Sequence, residues 1–182
     1  MTEVTAPEAP EENYGALIEP ATLKIERLLP GPIDRVWAYL TESDLRRQWL
    51  ASGDMSPQAG STFELTWRND ELTETPSAKR PETKGVQHTQ QSTMVVFEPP
   101  HRLAYNWGHV GDVEFTLAQE GAHIRLTLIH RRIPDRATLL GVGAGWHAHL
   151  DFLVARLSGA TMEPFWDRWG QLQDDYAQRL FG

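Results

Sequence analysis

Cysteine is absent from the 182-residue sequence, and basic residues are scarce. Without cysteine, disulfides, thiolate nucleophiles and cysteine-ligated zinc are excluded. The 17 Lys and Arg are outnumbered by 25 Asp and Glu, which gives a formal charge of −8. Because a protein that neutralises phosphates needs a basic face, we expect neither a nucleic-acid partner nor an anionic membrane partner.

Long apolar runs are also missing. No stretch approaches the roughly 20 apolar residues that span a bilayer. The N-terminal sequence MTEVTAPEAPEENYG lacks the basic start and apolar centre of a secretory signal. We therefore predict no membrane insertion and a cytoplasmic location. Residues 1–20 are rich in Glu, Pro and Ala, and we expect a mobile acidic tail, since this composition buries too little apolar surface to offset chain entropy.

Residues 21–182 are predicted to form one domain, because 40% apolar residues in a chain of this length suffice for a single packed core. Most of the predicted strands show apolar residues alternating with polar ones, the pattern of an antiparallel sheet with one covered face. The last four are separated by short turns and form a meander. The six strand segments contain Leu23–Ile25, Phe63–Trp67, Ser92–Phe97, Leu103–Trp107, Val113–Leu117 and Ile124–Leu128.

Helices are predicted at both ends of this strand series. Two short helices, PIDRVWAYL and SDLRRQWL, follow the first strand, and Ser43 can cap the second. Asp135 can cap a long helix that ends near Leu157, before Ser158-Gly159. A terminal helix follows over residues 164–181. Helices that are segregated from strands in this way indicate an α+β fold.

Residues 68–86 form a polar segment with two prolines between predicted strands. We predict a long loop here, and loops of this length in a compact domain are often mobile or functional.

The segment GVGAGWHAHLDFLVARL, residues 141–157, contains spaced glycines that suggest a phosphate loop. A dinucleotide-binding fingerprint, however, requires a preceding buried parallel strand in a βαβ unit, and this sequence has none. We interpret the small residues as allowing the helix to lie close to the sheet. Trp146, Leu150, Leu153 and Leu157 share one helical face. We expect this face, extended by Leu139 and Val142, to pack on the sheet.

His147 and His149 in the same segment suggest a metal site. On a helix their side chains point about 160° apart, so the two cannot reach one ion. We therefore predict no bound metal. His147 and Asp151 are four residues apart, and we expect them to form a solvated surface pair.

Several segments taken together resemble the SRPBCC (START-like) superfamily and, within it, the bacterial homologues of the activator of the heat-shock-protein-90 ATPase. The resemblance covers about residues 20–182. The matching segments are ERLLPGPIDRVWAYLTESDLRRQWL, FEPPHRLAYNWG, LTLIHRRIPD with GVGAGWHAHLDFL, and PFWDRWGQLQDDYAQRL.

The resemblance implies a helix-grip fold, in which a curved antiparallel sheet of about six strands wraps around a long C-terminal helix. Two short helices would follow the first strand, and the terminal helix would be an addition. Many such proteins enclose an apolar cavity and bind hydrophobic small molecules, and some are cyclases or aromatases. The eukaryotic activators use an additional N-terminal domain, which this sequence lacks, and this argues against a chaperone partner.

Strand parity and the helical stripe together predict the lining of such a cavity. Aromatic and branched residues on one sheet face are usually core, so an enclosed cavity and a filled core are both compatible with this pattern. The predicted lining consists of Phe63, Leu65, Trp67, Leu103, Tyr105, Trp107, Val113, Phe115, Leu126, Leu128, His130, Trp146 and Leu150.

His130 is the one polar candidate in this lining, since it continues the inward-facing apolar series of its strand. It is a candidate ligand anchor or general base, although a buried histidine is more often a hydrogen-bonded structural residue. The alternating aromatic faces and the family resemblance together predict a small binding protein for a hydrophobic ligand, without a cofactor. The alternatives are a cyclase, aromatase or hydrolase that uses His130, and a co-chaperone-like interaction module. A homodimer is a further expectation, because the aromatic stripe of the terminal helix needs a cover, although packing on its own domain would cover it equally well.

Overall fold

The computed structural model describes residues 11–182, which form an α+β fold. Two single-turn 3-10 helices, Glu11–Asn13 and Asn69–Leu72, accompany the main elements. The strands are β1 (Ala16–Glu19), β2 (Thr22–Pro30), β3 (Thr62–Trp67), β4 (His88–Glu98), β5 (Arg102–Asn106), β6 (Asp112–Glu120) and β7 (His123–Arg131). The helices are α1 (Ile33–Thr41), α2 (Ser43–Arg46), α3 (Arg136–Ser158) and α4 (Phe165–Phe181).

All seven strands belong to one antiparallel sheet in the order β1-β2-β7-β6-β5-β4-β3. The meander from β4 to β7 is confirmed, and β7 also pairs with β2, which places Leu23 opposite His130. The inner face carries the alternating apolar residues, as the sequence pattern of β6 and β7 predicts. With α3 lying across this face, the predicted helix-grip architecture is confirmed.

The predicted tail boundary at residue 20 is wrong. Residues 16–19 form the edge strand β1, which pairs with β2, and Glu11 forms an ion pair with Arg179 on α4. Every residue of β1 is exposed, so it has no alternating burial pattern from which a strand is recognised. The first ten residues of the expected tail lie outside the described part of the chain.

The ends of α3 match the sequence signals. Asp135 accepts a hydrogen bond from the backbone N–H of Thr138 at 2.8 Å, and Gly159 closes the helix with a left-handed φ of 76°. The expected cap of α2 is wrong, because the hydroxyl of Ser43 instead accepts a hydrogen bond from the backbone N–H of Gly53. Within residues 11–182, no helix combines the length and apolarity needed to cross a membrane.

Both sides of α3 are covered by the chain itself. The stripe that contains Trp146 and Leu150 is buried against the sheet, as predicted. The opposite side packs on α4, where Leu172 and Tyr176 are fully buried. Leu172 and Tyr176 of the terminal-helix stripe are therefore covered within the domain itself, whereas Trp169 is only partly buried, and the homodimer stays a prediction.

A buried polar network joins α3 to β2 and to α4. Asp151 accepts a hydrogen bond from Arg27 of β2 at 3.0 Å and from Arg168 of α4 at 3.3 Å. His147 Nε2 lies 3.5 Å from the same carboxylate, and its Nδ1 lies 3.0 Å from the hydroxyl of Tyr176. The expected solvated surface pair of His147 and Asp151 is wrong, because His147 is fully buried.

Asp151→Asn should lower the free energy of unfolding by about 3 kcal/mol, because Arg27 would remain buried without its counter-charge. Asp174→Asn, an exposed carboxylate on α4, is the matched control and should change stability little. Urea unfolding of both variants measures this, and equal stability of the two would contradict the role of Asp151.

Candidate functional site

An open cleft of about 720 Å³ lies at one end of the sheet. Its walls are the N-terminal half of α3, the start of α4, the segment 83–88 and the sheet end formed by β3, β4 and β5. We call it the tryptophan cleft, because five of the seven tryptophans line it. They are Trp67, Trp107, Trp146, Trp166 and Trp169.

These tryptophans form two groups that face each other across the opening. Trp107 contacts Trp67 at a ring-centroid distance of 5.3 Å and Trp146 at 4.6 Å, so one group continues from the sheet end onto α3. Trp166 and Trp169 on α4 form the other group, with ring centroids 5.3 Å apart. The Trp67–Trp107 and Trp166–Trp169 pairs meet edge to face, and the Trp107–Trp146 pair is tilted. Contacts of this kind stabilise the rings in their positions.

Two glycines of α3 leave space in the cleft. Gly141 and Gly145 both line it, and a Cβ added to either would meet no atom within 4 Å. Gly143 lies on the other side of α3, where an added Cβ would be 3.5 Å from the ring of Tyr176. The interpretation that these small residues bring α3 close to the sheet is therefore wrong: two of them leave space and one accommodates α4.

His149 provides a buried polar group in the wall of the cleft. Its Nδ1 lies 2.7 Å from the backbone carbonyl oxygen of Trp49, and its ring packs at a tilt against Phe165 at a centroid distance of 4.5 Å. Burial lowers the pKa of His149 to about 4. The imidazole is therefore held in one orientation and is neutral at pH 7.

Two further polar atoms near the cleft have no hydrogen-bond partner among residues 11–182. They are the indole nitrogen of Trp166 and the side-chain oxygen of Asn69, and both are covered by protein atoms. The segment 83–88 that closes this side is more open, since Val86 is 65% exposed. The predicted loop over 68–86 thus contributes directly to the cleft wall.

The structure divides the predicted lining residues into two sets. Trp67, Trp107 and Trp146 line the tryptophan cleft. The others are buried in the core between sheet and helix, away from the cleft lining. These are Phe63, Leu65, Leu103, Tyr105, Val113, Phe115, Leu126, Leu128, His130 and Leu150.

His130 has both ring nitrogens occupied. Its Nε2 lies 2.5 Å from the carbonyl oxygen of Val110, and its Nδ1 accepts a hydrogen bond from the indole N–H of Trp146 at 3.0 Å. Burial lowers the pKa of His130. The ring fixes the Trp146 wall of the cleft and has no free nitrogen with which to act as a base there.

The two histidines of the candidate metal motif have separate surroundings. His147 contacts Tyr176 and Asp151 on the outer side of α3, whereas His149 contacts Trp49 and Phe165. Among the described residues, no group of three His, Asp or Glu side chains is arranged to hold a metal ion.

Fold and sequence comparison together identify the class of protein. A family model described as "Activator of Hsp90 ATPase homolog 1-like protein" matches residues 30–158. The chain therefore belongs to this family, which also agrees with its helix-grip fold. No curated protein matches the chain.

Solved structures share the fold. A protein of Bordetella parapertussis, determined by solution NMR, is 40% identical, with 98% of this chain and 97% of that chain covered and a TM-score of 0.78. CalU16 from Micromonospora echinospora is 21% identical over 88% of this chain and 89% of its own, with a TM-score of 0.63. DynU16 is 20% identical over 80% of this chain and 49% of its own, with a TM-score of 0.60.

The buried histidines should make stability depend on pH. Burial lowers the pKa of His147 to about 2 and that of His149 to about 4, from the ordinary value of 6.5, so the unfolded chain binds more protons below pH 6.5. The free energy of unfolding should therefore fall as the pH is lowered from about 6.5 to about 4.5, by roughly 1 kcal/mol per pH unit for each histidine.

Urea unfolding at several pH values measures this slope. His149→Gln should make the dependence of stability on pH shallower, whereas replacing the exposed His123 should leave that dependence unaltered. Equal stability of the wild-type protein at pH 6.5 and pH 4.5 would contradict the assignment.

Proposed function

We propose that this protein binds a hydrophobic, aromatic small molecule in the tryptophan cleft. The observation that carries the proposal is the set of five tryptophans around an opening of about 720 Å³. Cavities of roughly 300–1,000 Å³ lined largely by apolar and aromatic side chains are the usual form of small-molecule sites. Here the tryptophans share the lining with polar side chains such as Gln87, His88 and Gln90. Flat rings can stack on, or meet edge to face, the indoles of either wall.

The charge of the lining favours an uncharged ligand. None of the side chains that line the cleft is a carboxylate, and Lys84, at its outer segment, is the only Lys or Arg among them. A cationic ligand would find no counter-charge, and an anionic one would find a single flexible lysine. A neutral aromatic molecule that buries most of its surface is therefore the ligand that best matches the cleft.

Relatives give further support. DynU16 is described as a putative protein in the dynemicin biosynthetic locus, and a setting of this kind is compatible with a small-molecule ligand. Since both nitrogens of His130 are engaged, the same cleft has no base at that position. We therefore propose binding, and the candidate base His130 is not available for catalysis in this cleft.

Gly145→Leu should abolish binding of naphthalene, used as a neutral aromatic probe. The new side chain would extend into the cleft, where no protein atom lies within 4 Å of the added Cβ. Replacing glycine inside a helix also removes a conformational cost of about 0.5–1 kcal/mol, so the variant should remain folded. Gly170→Leu on α4, where an added Cβ also meets nothing within 4 Å, is the matched control outside the cleft.

The measurement is a titration followed through the indole N–H signals in 1H–15N NMR spectra. Naphthalene should shift the signals of the five cleft tryptophans in the wild-type protein and in Gly170→Leu, and leave Trp37 and Trp49 unchanged. Shifts confined to Trp37 and Trp49, or the same response in Gly145→Leu as in the wild type, would contradict binding in the cleft.

A further inference from the structure

We infer that His149 is a fixed hydrogen-bond acceptor in the wall of the tryptophan cleft and that it selects aromatic ligands carrying a hydroxyl or N–H donor. This inference rests on the proposed function and narrows the ligand class. Four properties of the side chain carry it: its tautomer, the access to its free nitrogen, its immobility and its charge.

The tautomer follows from the partner of Nδ1. A backbone carbonyl oxygen can only accept a hydrogen bond, and the oxygen of Trp49 lies 2.7 Å from Nδ1. Nδ1 must therefore carry a hydrogen. In a neutral imidazole the other nitrogen, Nε2, is then an acceptor with a free lone pair.

Access distinguishes His149 from the other buried polar groups. Nε2 of His149 has no hydrogen-bond partner among residues 11–182, and protein atoms leave part of its surface uncovered. Nε2 of His147 and the indole N–H of Trp166 are completely covered. Because His149 lines the cleft, its free nitrogen is available to a molecule bound there.

Immobility makes the acceptor selective. His149 is only 6% exposed, and it is held by the bond to Trp49 and by the ring of Phe165 at 4.5 Å. A fixed acceptor cannot turn towards water when an unsuitable ligand occupies the cleft. A ligand without a donor would therefore leave this nitrogen unpaired in a desolvated site, which weakens binding.

Because the ring is neutral, Nε2 accepts a hydrogen bond from a ligand and does not donate one. Protonated imidazole donates from both nitrogens and would prefer a carbonyl or an anion, whereas the neutral ring accepts at Nε2. A ligand that can pack on the aromatic walls and also donate to Nε2 of His149 is a fused or substituted aromatic ring with an un-ionised hydroxyl or an N–H group.

The test compares 2-naphthol, which has a donor, with 2-methoxynaphthalene and naphthalene, which have none. In the full-length wild-type protein at pH 7, calorimetric titration should give a dissociation constant for 2-naphthol that is roughly 3–10-fold lower than for either reference probe. His149→Asn can keep a donor to the Trp49 carbonyl while losing the acceptor, and it should bring this ratio to about one. His149→Gln places an amide oxygen near the Nε2 position and should restore part of the preference.

Two controls separate a direct contact from a general effect on the fold. His147→Asn alters a buried histidine on the other side of α3 and should leave the ratio unchanged. In the wild-type protein, the 15N signal of His149 Nε2 should move when 2-naphthol is added and stay in place with 2-methoxynaphthalene. This second readout needs no substitution, so it holds even if His149→Asn does not fold.

The outcomes distinguish the inference from the proposed function. If naphthalene and 2-naphthol bind equally well and the Nε2 signal is unmoved by both, the role of His149 is overturned while binding in the cleft stands. An unchanged ratio in a folded His149→Asn variant overturns it as well. If none of the three probes binds, the proposed function fails, and the inference fails with it.

Discussion

The ion pair between Asp151 and the buried Arg27 is the interaction on which the arrangement of this protein depends. A guanidinium with 2% of its side chain exposed cannot remain on the inner face of a sheet without a counter-charge, and Asp151 supplies it from α3. The same carboxylate receives Arg168 from α4. One side chain thus connects the sheet, the long helix and the terminal helix, and it fixes α4 against the side of α3 that the sheet does not cover.

The cleft follows from this arrangement. Contacts of Tyr176 with Gly143 and of Phe165 with Phe152 show that α4 runs antiparallel to α3. The sheet covers one side of α3 and α4 covers another. Towards the sheet end a third side, marked by Gly141 and Gly145, remains uncovered. The aromatic rings on both borders of this gap cannot fill it because their neighbours hold them, and His130 holds one of them, Trp146, through its indole N–H.

The sequence was sufficient to predict the meander and the caps of α3, because both depend on local patterns of period and capping, whereas the helix-grip fold was an expectation from the family resemblance. Whereas the structure has Trp67, Trp107 and Trp146 at the tryptophan cleft, the sequence predicted them as part of the lining of a cavity between the sheet and α3. It could not place Trp166, Trp169 and His149, since their positions depend on how α4 docks. Arg27 carried a usable signal: it occupies an inward position between Ile25 and Leu29, where a charge requires a buried partner. The exposed strand β1 carried none.

The central claim is that aromatic ligands occupy the space beside α3 rather than the core between α3 and the sheet. Intermolecular nuclear Overhauser effects in a complex with naphthalene test this most directly. The account predicts contacts from the naphthalene protons to the rings of Trp107 and Trp146 and to the Hα protons of Gly145. Contacts to Phe115, Leu126 and Leu128 in their place would contradict it, because they would show that the ligand enters the packed core.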